Sequence, residues 1–112
     1  MKPHQKPTNY YPVGWTILKF TNTEEVVYKI FATWRWGNEE WRLSSGATDL
    51  SSITKTGDTL VWPQASGSIY HLPLDGENCY TFYQGSVLAK IRVSCEKENI
   101  GLEVISLNNL VP

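Results

Sequence analysis

The clearest pattern in the chain runs from Val26 to Trp36. There Val26, Tyr28, Ile30, Ala32, Trp34 and Trp36 share one parity, and Val27, Lys29, Phe31, Thr33 and Arg35 share the other. Successive side chains of a strand point to opposite faces, so this alternation predicts a β-strand. It leads into Gly37-Asn38. A two-residue turn at that dipeptide sets Arg35 opposite Glu40, Trp34 opposite Trp41 and Ala32 opposite Leu43, pairing opposite charges and like aromatics. Moving the turn to Asn38-Glu39 would place Arg35 against Arg42, so the first register is the expectation, with Trp34 and Trp41 paired in the core.

Further runs read in the same way. Trp15 to Phe20 form a strand ahead of the polar Thr21 to Glu25, and Leu60 to Trp62 form a short one that Pro63 stops or confines to a sheet edge. Ser68 to Leu74 lead into Asp75-Gly76, a strong hairpin dipeptide, then a strand from Asn78 to Tyr83, a turn at Gln84-Gly85 and a strand from Ser86 to Cys95. After a charged turn, Ile100, Leu102 and Val104 alternate, and Ile105 with Leu107 switch phase. In this reading Ile69, His71, Tyr80, Phe82 and Val87 face the core, while Tyr70, Leu72, Leu74 and Leu88 form a second apolar face. Either other strands cover that face or it associates with a partner. The expected fold is all-β: a single antiparallel meander forming a small barrel or sandwich, with about eight or nine short strands and little or no helix. Residues 1–12, with three prolines and no periodicity, are expected to be a flexible N-terminal arm, and residues 13–112 a single β domain.

Composition narrows the function classes. A chain of 112 residues holds one ordinary domain, and its five tryptophans and six tyrosines supply the large rings of a core. The formal net charge of -1 gives no basic footprint for nucleic acid or an anionic membrane. No run approaches the ~18 apolar residues of a membrane span, and the start MKPHQKPTNYYP lacks the apolar centre of a signal peptide, so the expected location is cytoplasmic. Cys79 and Cys95 are too few for a disulfide framework and are not spaced as a zinc pair; two reduced thiols are expected.

Chemistry is sparse. His4 lies in the arm, and His71 reads more readily as a hydrogen-bonded structural residue than as a general base. Asp49, Asp58, Asp75, Glu77, Glu96 and Glu98 fall in or near expected turns, where turn chemistry accounts for them. No phosphate loop or metal-ligand spacing is present, so neither cofactor nor metal is expected. So many aromatic rings cannot all be central in so small a core, and rings at a rim suit binding. Trp36, Trp62, Tyr70 and His71 are the candidate ligand-binding residues. The expected function is a non-enzymatic binding module or adaptor whose partner is a small molecule or a protein, a second copy of the chain among the candidates. The alternatives are a small barrel enzyme acting on a metabolite, using His71 and a turn carboxylate, and single-stranded nucleic-acid binding, which Lys29 and Arg35 on one strand face only thinly support.

The pieces Tyr28-Lys29-Ile30-Phe31-Ala32, Trp41-Arg42-Leu43-Ser44-Ser45-Gly46 and Ser66-Gly67-Ser68-Ile69-Tyr70 resemble a pattern in small uncharacterised bacterial proteins of mobile elements, such as phage and integron-cassette accessory proteins. The resemblance spans residues 28–70. It implies a dispensable cytoplasmic adaptor, inhibitor or ligand-binding protein, and no catalytic residues.

Overall fold

The computed structural model describes residues 8–35 and 37–106. Trp36, His4 with most of the expected arm, and the phase switch at Leu107 lie outside the described residues. Within them the chain runs β1 (Asn9–Tyr10), β2 (Gly14–Thr21), β3 (Val26–Thr33), β4 (Trp41–Leu43), β5 (Thr54–Thr56), β6 (Thr59–Pro63), β7 (Ile69–Pro73), a 3-10 turn at Leu74–Gly76, α1 (Phe82–Lys97) and β8 (Gly101–Ile105). Two four-stranded sheets result. Sheet A has the order β1-β7-β6-β5 and sheet B the order β4-β3-β2-β8.

The sheets face each other across one core, built from Trp15, Ile17, Ile30 and Ala32 of sheet B and Leu60, Trp62, Tyr70 and Leu72 of sheet A. On the far side of sheet B, Leu18 and Phe31 meet Leu88 of α1, with Leu43, Val87, Ile91 and Val104 around them. The fold is therefore three layers, with sheet B in the middle. That position explains the text of β2, whose residues Gly14 to Leu18 are all buried: a strand covered on both faces has no reason to alternate. The two fully buried indoles each find an acceptor, Trp15 Nε1 donating to the Pro73 carbonyl at 2.6 Å and Trp62 Nε1 to Ser52 Oγ at 3.1 Å.

Predominant β-structure is as expected, but the single meander, the closed barrel and the near absence of helix are corrected. The largest correction falls on Asn78 to Cys95. Thr81 caps α1: its hydroxyl accepts from Gln84 N at 3.1 Å, while Gln84 Oε1 accepts from Thr81 N at 2.8 Å, a reciprocal capping box. At the other end Asn99 adopts a left-handed φ of 57°, and Ile100 N and Asn99 N donate back to the carbonyls of Cys95 and Glu96, a Schellman closure. Between these signals Gln84, Leu88 and Cys95 recur at helical spacing and are buried.

Asp75-Gly76 makes no hairpin, because the edge of β7 that a returning strand would use is taken by β1, paired in parallel from Asn9↔Ile69 to Tyr10↔Tyr70. The last residues of the expected arm are thus part of a sheet. From the 3-10 turn the chain instead crosses the end of sheet B. Asn78 N donates to the Trp15 carbonyl and Thr33 Oγ1 to the Cys79 carbonyl, and Gly14 permits the crossing, since a Cβ there would lie 2.1 Å from the Cys79 oxygen. The core and outer faces of residues 69–74 are exchanged relative to expectation: Tyr70 and Leu72 are buried, and His71 lies on the outer side of sheet A. The apolar second face is thereby covered, Tyr70 and Leu72 between the sheets and Leu88 between α1 and sheet B. Both cysteines are free, and burial pushes the Cys95 thiol above its ordinary 9.0.

The β3–β4 register is corrected by one residue. Thr33 pairs with Trp41, Ala32 with Arg42 and Phe31 with Leu43, around a wider loop in which Gly37 and Glu39 have positive φ. A one-residue slip sends every side chain to the opposite face. Trp41 stacks on Phe31 on the α1 side, with centroids 5.7 Å apart, while Trp34 packs against the core between the sheets.

Candidate functional site

The site is built where the chain leaves sheet B for sheet A. Beyond Leu43 the ladder breaks: Ser44 N still donates to the Ile30 carbonyl, but Ile30 N turns to Ser44 Oγ at 2.8 Å, and pairing resumes only at Tyr28↔Ala47. Three residues, Ser44 to Gly46, oppose two, Lys29 and Ile30, which is a β-bulge. The extra residue changes parity, so Leu43 faces α1 and Ala47 packs between the sheets. Gly46, with φ 109°, carries the bend; a Cβ there would stand 2.8 Å from Val27 Cγ1.

A buried polar base holds this bulge against the β6–β7 turn. Ser44 Oγ donates to Gln64 Oε1 at 2.6 Å, and the same oxygen accepts from Gly46 N at 3.2 Å. Ala65 N donates to the Gly46 carbonyl at 2.8 Å, and Ser66 N to Ser45 Oγ at 3.0 Å. Every bond joins the 44–46 bulge to the 64–66 turn, so the two sheets are fixed relative to each other at this end.

Above that base lies a cleft of about 500 Å³, bounded by the bulge, residues 47–52 and the Pro63–Ala65 turn. Val27, Ala47, Pro63 and Ala65 give it apolar walls, and Thr48, Asp49, Ser51 and Ser52 give it polar groups. Asp49 organises the rim as an Asx-turn, its carboxylate accepting from both the N–H and the hydroxyl of Ser51. The Ser51 hydroxyl first, and its N–H second, hold the Asp49 carboxyl below its ordinary 3.8, against a weaker opposing effect of burial. Asp49 is the charged residue of the lining, so the cleft presents one carboxylate, several hydroxyls and small apolar side chains. It suits a small polar molecule able to donate hydrogen bonds.

The chain matches no protein-family model, no curated protein and no solved structure.

The residues expected to bind ligand do not come together. Trp62 is fully buried and outside the cleft lining; it lies next to Pro63 of the cleft wall and donates to Ser52. Tyr70 is core, 1% exposed, its hydroxyl accepting from Arg42 Nε at 3.1 Å and its ring stacked on Tyr10 at 4.8 Å. His71 is half-buried on the outer face of sheet A, stacked on Tyr11 at 4.4 Å with Nε2 2.9 Å from Asn9 Oδ1. It meets an amide and a phenol ring there, not the turn carboxylate that a catalytic pair requires. No group of three His, Cys, Asp or Glu side chains positioned for a metal occurs among the described residues, and no helix among them is long and apolar enough to cross a membrane. The cleft residues Ser44 to Ser52 show neither strand alternation nor a helical period in the sequence. The signals available were Asp49-x-Ser51, an Asx-turn spacing, and Ser-Ser-Gly directly after a strand.

Proposed function

We propose that the protein is a non-enzymatic binding module that takes a small hydroxylated, amine-bearing molecule in the cleft between the 44–46 bulge and the β6–β7 turn. The observation that carries this reading is the rigid serine–glutamine base beneath a cleft that holds a single ionised carboxylate. A site of this size with apolar walls and a few fixed polar groups has the form of a small-molecule pocket. Its buried base costs little reorganisation on binding. Ser52 accepts from Trp62 and keeps its own proton to donate, while Asp49 supplies the counter-charge for an ammonium. Among the described lining residues no imidazole, thiol or amine stands with the Asp49 carboxylate to complete an acid–base pair, which favours binding over turnover. An accessory role, as the resemblance to mobile-element proteins implies, is compatible with such a module.

Glucosamine, glucose and glucuronate test the reading, since they share a skeleton and differ in charge. Glucosamine is expected to raise the melting temperature most and glucuronate least, because binding only the folded state stabilises it. Asp49→Asn is expected to abolish the preference for glucosamine without unfolding the protein. Equal shifts with all three, the largest shift with glucuronate, or an unchanged preference in the variant would refute it.

A further inference from the structure

Helix α1 covers only part of the outer side of sheet B. It stops at Lys97, Asn99 turns the chain with a left-handed φ, and Ile100 leads into β8. Past that point the sheet runs on into the β2–β3 turn, where Phe20, Val27, Leu43 and Ile100, all half-buried, give a pocket of about 250 Å³ its apolar surface. Phe20 and Leu43 belong to the apolar cluster on this side of the sheet, and Val27 pairs with Phe20. Among the described residues, Val27 alone lines both this pocket and the cleft. Two opposite charges border the pocket. Glu25 and Lys29 share the parity of Val27 and Phe31, which places both on this face with about 13 Å of extended chain between their Cα atoms. The Lys29 ammonium lies over the Phe20 ring, 5.9 Å from its centroid, and no carboxylate of the described residues pairs with it. Asn22 is fixed at the rim: its Oδ1 accepts from Glu24 N at 2.8 Å and Glu25 N at 2.9 Å, which leaves the amide nitrogen to donate.

We infer that this pocket is a second small-molecule site, separate from the cleft, and that it takes a free amino acid with an aliphatic side chain. The ligand carboxylate meets Lys29 and the Asn22 amide, its ammonium meets Glu25, and its side chain lies on Val27, Leu43 and Ile100. Three observations favour this class. The pocket has one cation, one anion and one neutral donor on an apolar base, so a zwitterion with an apolar body satisfies every group, whereas a simple acid faces Glu25 and a simple amine faces Lys29. Its volume suits a molecule of leucine size and is half that of the cleft. The Phe20 ring already carries the Lys29 ammonium, so the surface left for a ligand side chain is aliphatic. The Lys29 stem is half-buried, which lowers the cost of ordering it on binding.

Amide NMR of the isotope-labelled full chain, titrated with L-leucine to about 20 mM, tests the inference. Leucinamide, which lacks the carboxylate, and isocaproate, which lacks the ammonium, are the matched probes. Leucine is expected to shift the amides of residues 22–29 and 100–101 saturably, and each of the other two to bind about tenfold more weakly. Lys29→Met keeps an apolar stem over Phe20 and should weaken leucine about tenfold while leaving leucinamide unchanged. Glu25→Gln should weaken leucine and leave isocaproate no weaker. A purely structural effect of either substitution would weaken all three probes alike. No saturable shift with wild type, shifts confined to residues 47–52 and 63–65 of the cleft, equal affinity for the three probes, or leucine binding unchanged in Lys29→Met would overturn the inference. The glucosamine series probes the cleft independently of each of these outcomes.

Discussion

The buried side chain of Gln84 makes three hydrogen bonds that tie two elements together. Its Oε1 caps α1, and its Nε2 donates to the carbonyls of Trp34 and Glu40 at 2.9 Å each, tying the β3–β4 loop to the helix while only 1% exposed. Gln84→Glu keeps the capping acceptor but turns two donors into lone pairs facing two carbonyls. It is expected to cost about 3 kcal/mol in urea denaturation, against about 1 kcal/mol for Thr81→Ala, which removes only a cap. Similar losses in both variants would mean that the loop bonds contribute nothing. Thr16 poses the converse case. Its hydroxyl is buried without a hydrogen-bond partner among the described residues, so Thr16→Val should raise the urea midpoint, by an amount equivalent to about 1 kcal/mol. A destabilised valine variant would show that the hydroxyl is satisfied in solution.

At the scale of elements, the bulge at Ser44 to Gly46 both switches sheets and shapes the cleft. Gly46→Ala forces a side chain into a backbone at φ 109° with Val27 Cγ1 and the Tyr28 carbonyl in the way. A loss of about 2 kcal/mol is expected, together with loss of any glucosamine-induced thermal shift; a variant as stable as wild type would remove the bulge from the account. The sequence disclosed β2, β3, β6, β7 and β8 because each carries a run of apolar residues between polar breaks. It disclosed the alternate faces of β3 as well. The register of the β3–β4 hairpin was hidden, because cross-strand pairs worth a few tenths of a kcal/mol compete with the burial of whole side chains. Placing Trp41 on Phe31 and Trp34 between the sheets buries both faces of β3, which pairing the two indoles would not. Helix α1 was hidden for a related reason. Val87, Ala89, Ile91, Val93 and Cys95 share a parity, but on a helix they divide between the inner and outer sides, and apolar groups on both sides erase the amphipathic period. The legible evidence was at the ends, in Thr81-x-x-Gln84 and in Asn99. For the site, the serine-rich 44–52 segment was unreadable as a cleft because its walls come from Val27 and from residues 63–65, distant in sequence.

On the scale of the whole molecule, the two sheets are joined at the end marked by Tyr70. Arg42 of sheet B donates to its hydroxyl and lies over the ring of Tyr10 at 4.6 Å, so β1, β4 and β7 meet in one stack. Burial raises the Tyr70 hydroxyl above its ordinary 10.0, and the Arg42 guanidinium acts weakly in the other direction. The unfolded chain therefore releases this proton first as pH rises. The stability that neutral Tyr70 contributes is fully present below about pH 10 and is lost progressively as pH climbs from there through the raised value. Tyr70→Phe should cost about 1.5 kcal/mol near pH 8, and its urea midpoint should fall less steeply than that of wild type between about pH 9 and about pH 11. Parallel slopes would exclude Tyr70 from the alkaline transition.

Strand β2 lies in the middle of sheet B, hydrogen-bonded on one edge to β3, which follows it directly, and on the other to β8, with Ile17 opposite Ile105. A chain emerging from a ribosome would present the β3 partner of its most buried strand at once and the β8 partner only after the elements from β4 to α1 had been made. During that interval the unpaired backbone of β2 is a template for the wrong neighbour. Closing a loop of that length also loses chain entropy before the pairing is gained, which slows this step. The order of synthesis thus makes the docking of β8 the step that protects the second edge of β2.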